Sequence, residues 1–126
     1  ETGPALRILA NIPLGLGNIE QFLSLAPAFS GDYAGCLSVN STRDVALLPT
    51  AAVRLISDFN ETRMAGIRSN VKAVFSDDQV EDVCDLIWTF FSGICIDANL
   101  KADVGAHRNR VRAFMRLLQS SATGSR

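Results

Sequence analysis

Apolar residues recur every three or four positions along this chain, and nowhere do apolar and polar residues alternate for more than a few positions. That spacing predicts helices and no sheet. A first helix fits Pro4 to Ile12, with Leu6, Ile8, Leu9 and Ile12 apolar, ended by Pro13 and the Gly15-Leu16-Gly17 turn. A second fits Asn18 to Ala28, capped by Asn18, with Phe22, Leu23 and Leu25 apolar. A third, Gly35 to Val45, is rich in Gly, Ser, Asn and Thr, so packing rather than propensity must hold it. The fourth is long, about Thr50 to Phe75, with Val53, Ile56, Asn60, Met64, Ile67, Val71 and Val74 at helical spacing.

The fifth helix opens at Ser76, which with Gln79 reads as a capping box, and runs to about Lys101. It carries two apolar stripes. One is Val80, Val83, Ile87, Phe91, Ile94 and Ala98; the other is Leu86, Phe90, Gly93 and Leu100. A surface that wide exceeds what one neighbouring helix can cover. The sixth helix, Val104 to Ser120 with Asp103 as its cap, presents Val104, His107, Val111, Phe114, Met115 and Leu118. The expected fold is thus an all-α single domain over residues 1–126, of about six helices.

Composition narrows the possible functions. The chain has 126 residues, enough for one core without a disulfide or metal staple. Twelve basic residues against thirteen acidic give a formal charge of −1, which excludes a generally basic nucleic-acid binder and a disordered acidic tail. The most apolar stretch, Leu86 to Ile96, is about half the length of a membrane span. Cys84 and Cys95 lie eleven positions apart in one predicted helix, roughly 16 Å and out of disulfide reach. With Cys36 they read as reduced, small, buried residues. The chain starts Glu1-Thr2-Gly3-Pro4 without Met, so residue 1 is not expected to be a native translation start, and no secretory signal stands at its head. Reduced thiols then point to the cytoplasm, and the shortness of the apolar stretch to no membrane partner.

Little here supports catalysis. Asp78, Glu81, Asp82 and Asp85 share a helix start, where carboxylates complement the helix dipole, and beyond it a solvated face. Neither a His-x-x-x-His nor a Glu-x-x-His pattern exists, so no metal and no cofactor is expected. His107 is the single histidine and sits at the edge of a packing stripe. Arg108, Arg110, Arg112 and Arg116 spread around the last helix rather than forming one phosphate-reading strip. A shortage of acid–base and nucleophilic groups argues against an enzyme.

Three local patterns, in order, resemble the C-terminal ligand-binding and dimerisation domain of the tetracycline-repressor (TetR) family of transcription regulators. They are Gly35-Cys36-Leu37-Ser38-Val39-Asn40, the long helix after Pro49, and the apolar run Asp85-Leu86-Ile87-Trp88-Thr89-Phe90-Phe91-Ser92-Gly93-Ile94. The similarity covers roughly residues 18–119. It implies a small-molecule effector held among the helices, with Phe22, Cys36, Asn40, Phe59, Asn60, Arg63, Trp88 and Phe91 as the residues expected to contact it. Arg63 would favour an acidic ligand. It also implies a homodimer in which the last two helices meet their copies, with Leu86, Phe90, Gly93, Asp97, Val111, Phe114 and Leu118 at the interface. The family's N-terminal helix-turn-helix head is absent from these residues, so DNA binding would come only through such a head. The alternative is a stand-alone helical module that binds another protein through its exposed apolar stripe.

Overall fold

The structure, a computed structural model, describes residues 3–26, 49–99 and 104–124. It is all-α. Among the described residues there are five helices: α1 (Pro4–Leu9), α2 (Leu16–Ser24), α3 (Thr50–Lys72), α4 (Val80–Asn99) and α5 (Val104–Gly124). The remaining expected helix, Gly35 to Val45, lies outside the described residues, as do Cys36 and Asn40. No strand occurs among the described residues.

α2 is the hub. It packs against α1, α3 and α5, while α3 packs along α4 and α1 leans on α3. The core between them is Leu9 of α1, Ile19, Phe22 and Leu23 of α2, Ile67 and Val71 of α3, Ile87, Phe91, Ile94 and Cys95 of α4, and Val111, Met115 and Leu118 of α5. The stripe predicted for the fifth helix, from Val80 through Val83, Ile87 and Phe91 to Ile94, is buried along α4.

The helix ends differ from expectation for local reasons. α1 stops at Leu9, because Ala10 and Asn11 close a tight turn on the carbonyls of Leu6, Arg7 and Ile8. α2 is not capped by Asn18. Gly15 takes the cap position with no side-chain bond, and Asn18 is the third helical residue, buried, serving a tertiary role. α3 ends at Lys72, where the Val74 and Phe75 amides both turn back to the Val71 carbonyl and Phe75 drops into the core. Ser76 forms no capping box. Its hydroxyl donates to Asp78 Oδ1 at 2.7 Å and lies 3.0 Å from Gln79 Oε1, and the helix starts four residues later. α5 continues past Ser120 to Gly124.

A buried amide ties three of these helices together. Asn70 is fully shielded on α3. Its Nδ2 donates to the carbonyls of Leu9 and Gly66, each at 2.8 Å. Its Oδ1 accepts from the Gly15 amide and from Asn18 Nδ2, each at 2.9 Å. Asn18 Nδ2 in turn reaches the Asn11 carbonyl at 2.7 Å. The Leu9 carbonyl and the Gly15 amide are thereby satisfied by Asn70 and the Asn11 carbonyl by Asn18. Two glycines make the arrangement possible. Gly15 presents its amide from φ +154°, a conformation side-chain-bearing residues rarely adopt. At Gly66 an added Cβ would stand 3.1–3.2 Å from the Leu9 side chain, so the bare backbone lets α1 seat on α3.

Replacing Asn70 by Ala is expected to lower unfolding stability by about 3 kcal/mol, because buried partners lose their bonds while the site keeps its shape. N70D is expected to cost more, since a carboxylate would face the Leu9 and Gly66 carbonyls. Urea denaturation followed by circular dichroism measures both. G66A is expected to destabilise as well, despite alanine's helix-propensity advantage of about 1 kcal/mol. Leu9 cannot retreat while Asn70 holds its carbonyl.

Candidate functional site

Six of the eight residues expected to contact an effector fall within the described part of the chain, and ring contacts join five of them. Phe22 of α2 stacks on Phe91 of α4 with ring centroids 4.9 Å apart. Trp88, one turn before Phe91, tilts against it at 5.3 Å. Arg63 of α3 lays its guanidinium carbon 4.6 Å from the Phe59 ring centroid and 5.7 Å from that of Phe91. Such cation–π contacts contribute about 0.5–1 kcal/mol when partly exposed. Phe22 and Phe91 are buried, Trp88, Asn60 and Arg63 half-buried, and Phe59 is 49% exposed.

The sixth, Asn60, lies one turn before Arg63 on the same inward side of α3. Its Oδ1 is shut off from solvent and makes no hydrogen bond to any described residue. The site is therefore an aromatic wall from α2 and α4 facing two polar groups of α3. Asn60 also begins an Asn-Glu-Thr triplet, but it sits mid-helix and its Thr62 hydroxyl bonds the Asp58 carbonyl at 2.9 Å.

The residues expected at a dimer interface differ in their exposure. Leu86 is 57% exposed, Gly93 is exposed, and Phe90 and Phe114 are half-buried. Those two rings stack at 4.2 Å with planes 9° apart, linking α4 to α5. Asp97 is in α4, but its side chain is outside the described residues. Val111 and Leu118 differ from these. Both are buried in the core of their own chain, because their side of α5 turns toward α2. Leu117, one turn from Phe114, is 71% exposed on the outer side of α5.

The charged groups are mostly solvated. Asp78, Glu81, Asp82 and Asp85 are exposed, and no group of three or more His, Cys, Asp or Glu among the described residues is placed to hold a metal. Glu81 instead takes a two-pronged bond from Arg68, Nε to Oε2 at 2.9 Å and Nη2 to Oε1 at 3.0 Å, across the α3–α4 seam. This bond holds the Glu81 carboxyl below its ordinary range and the Arg68 guanidinium above its own. Both groups remain in contact with water, so the pair contributes little to stability. Arg108, Arg110, Arg112 and Arg116 are all exposed. His107 is buried, and its Nε2 has no partner among the described residues. No described helix is long and apolar enough to cross a membrane.

Asn70 escaped the sequence reading, although its position three residues after Ile67, on the buried stripe, carried the signal. No family model, curated protein or solved structure gives a significant match to this chain.

Cys84 and Cys95 are thiols, and both are fully buried. Burial is the main reason the Cys84 thiol lies above its ordinary range. Above about pH 8.5 the unfolded chain releases a proton that the folded chain keeps, so this thiol lowers stability as pH rises further. In a C36S variant, a thiol reagent such as 5,5′-dithiobis(2-nitrobenzoate) is expected to leave both remaining cysteines unmodified until denaturant is added. Rapid reaction of either in the native protein contradicts the buried placement.

Proposed function

We propose that this chain is the effector-binding and dimerisation domain of a TetR-like transcription regulator. Support comes from the outer face of the α4–α5 pair. Leu86 and Leu117 are mostly exposed, the stacked Phe90 and Phe114 lie half-buried between the helices, and in front of Gly93 there is open space. A contiguous apolar face on two long helices calls for a partner. A second copy offers the same face, and two such helix pairs close into a four-helix bundle.

The second element is the wall of Phe22, Phe91 and Trp88 opposite Asn60 and Arg63, where an effector would sit. Binding there favours one position of α3 relative to α2 and α4. Because Asn70 and the Gly66 contact tie α3 to α1, a displacement of α3 carries α1 with it. The regulator would use that displacement to change the spacing of DNA-binding heads N-terminal to this chain. No catalysis, metal or cofactor enters this function.

Sedimentation velocity or multi-angle light scattering tests the dimer. The wild-type chain is expected to be a dimer, and L86E combined with L117E is expected to be a folded monomer, since both side chains are exposed in the single chain. G93A separates packing from propensity. An alanine Cβ there meets nothing within the protomer, so it should stabilise an isolated chain by about 1 kcal/mol. If a partner helix fills that space, G93A weakens the dimer instead. A wild-type chain that stays monomeric at all concentrations removes the regulator function and leaves the stand-alone interaction module.

A further inference from the structure

Three arginines of the last helix form one edge. Steps of four residues set Arg108, Arg112 and Arg116 along the same side of α5, and all three are exposed. None has an ion pair or a side-chain hydrogen bond among the described residues, so three like charges a turn apart stand in water and repel one another. Asp82 and Asp85 on α4 are also exposed and also lack an ion pair among the described residues. Asp85 lies beyond the first turn of α4, where a helix start no longer favours a carboxylate.

The two sets flank the apolar outer face of the α4–α5 pair on opposite sides. Around α4, Glu81 reaches α3 and Phe90 reaches α5; at about 100° per residue, Asp82 and Asp85 project between those directions, away from the core. Around α5, Phe114 meets α4, and Arg112 and Arg116 lie on the far side from it. Phe90 stands nine residues before the end of α4 and Phe114 ten after the start of α5, so their stacking makes the two helices antiparallel and these two residues level. Arg116 is then level with Trp88, within one turn of Asp85, whereas Arg108 is about 16 Å further along than Asp85.

Resting on the dimer proposed above, we infer that its two-fold axis runs along the helices and lays α4 of each copy on α5 of the other, with Arg116 and Arg112 facing Asp85 and Asp82 across each seam. Such an axis keeps every residue at its own level, so Arg116 of one copy comes within reach of Asp85 of the other. The opposite choice, α4 on α4 and α5 on α5, would set one arginine edge against the other, a like-charge contact that disfavours that docking.

Charge reversal tests the pairing. All four side chains are exposed in the single chain, so R112E/R116E and D82R/D85R should both keep the circular dichroism of the wild type. In sedimentation velocity, each variant alone is expected to dimerise about tenfold more weakly than wild type or worse, because symmetry makes every lost pair count twice. An equimolar mixture of the two should restore dimerisation, since in the mixed dimer both seams again carry opposite charges. R108E, the same change beyond about one Debye length from the acids, should leave the dimer nearly unaffected. Variants that dimerise as tightly as wild type, or a mixture that stays monomeric, overturn this inference and leave the regulator function standing. A wild-type monomer overturns both, and one that binds duplex DNA through Arg112 and Arg116 assigns the edge to nucleic acid instead.

Discussion

One buried side chain sets the geometry of the N-terminal half. Asn70 makes four hydrogen bonds from a position with no contact to water, and its partners lie on α1, on the connection to α2, on α2 itself and on α3. A six-residue helix such as α1 has almost no stability alone. It holds because its last carbonyl is fixed by Asn70 and its Leu9 side chain drops over the backbone of Gly66. A polar group in a core specifies more than it stabilises. Only one placement of the α1–α2 connection satisfies all four bonds, whereas apolar contacts alone tolerate several.

Two asparagines on the same side of α3 show opposite solutions to burying an amide. Asn70 is saturated, which marks it as structural. Asn60 has an oxygen with no donor among the described residues, beside an arginine lying on aromatic rings. The first arrangement costs nothing further once folded. The second keeps the cost of a buried acceptor without a hydrogen bond.

α4 resolves a different conflict. Its stripe from Val80 to Ile94 is used within the chain, against α2 and α3, while Leu86, Phe90 and Gly93 lie on the flank that this packing does not cover. α5 repeats the pattern, with Val111, Met115 and Leu118 inside and Leu117 outside. The stacked Phe90 and Phe114 sit on the boundary between the inner and outer faces.

Spacing of apolar residues was sufficient to specify the helical class, all five described helices to within about four residues at each end, and the buried stripe of α4, because helical periodicity is a local property that each segment carries by itself. Burial of Cys84 and Cys95 was legible for the same reason. Of the residues expected from the sequence to contact an effector, five meet through ring contacts, a nearness that spacing along separate helices does not show. Tertiary structure alone decided the rest. It turned Asn18 from a cap into a core contact, since a side chain chooses between its own helix end and a distant partner only once that partner is in place. It assigned Val111 and Leu118 to the inside of α5 and Leu117 to the outside, because an apolar stripe wider than one neighbour does not say which edge the neighbour takes. Asn70's role was set the same way: its partners lie up to 61 residues away from it in sequence and are brought to it only by the packing of α1 and α2 on α3.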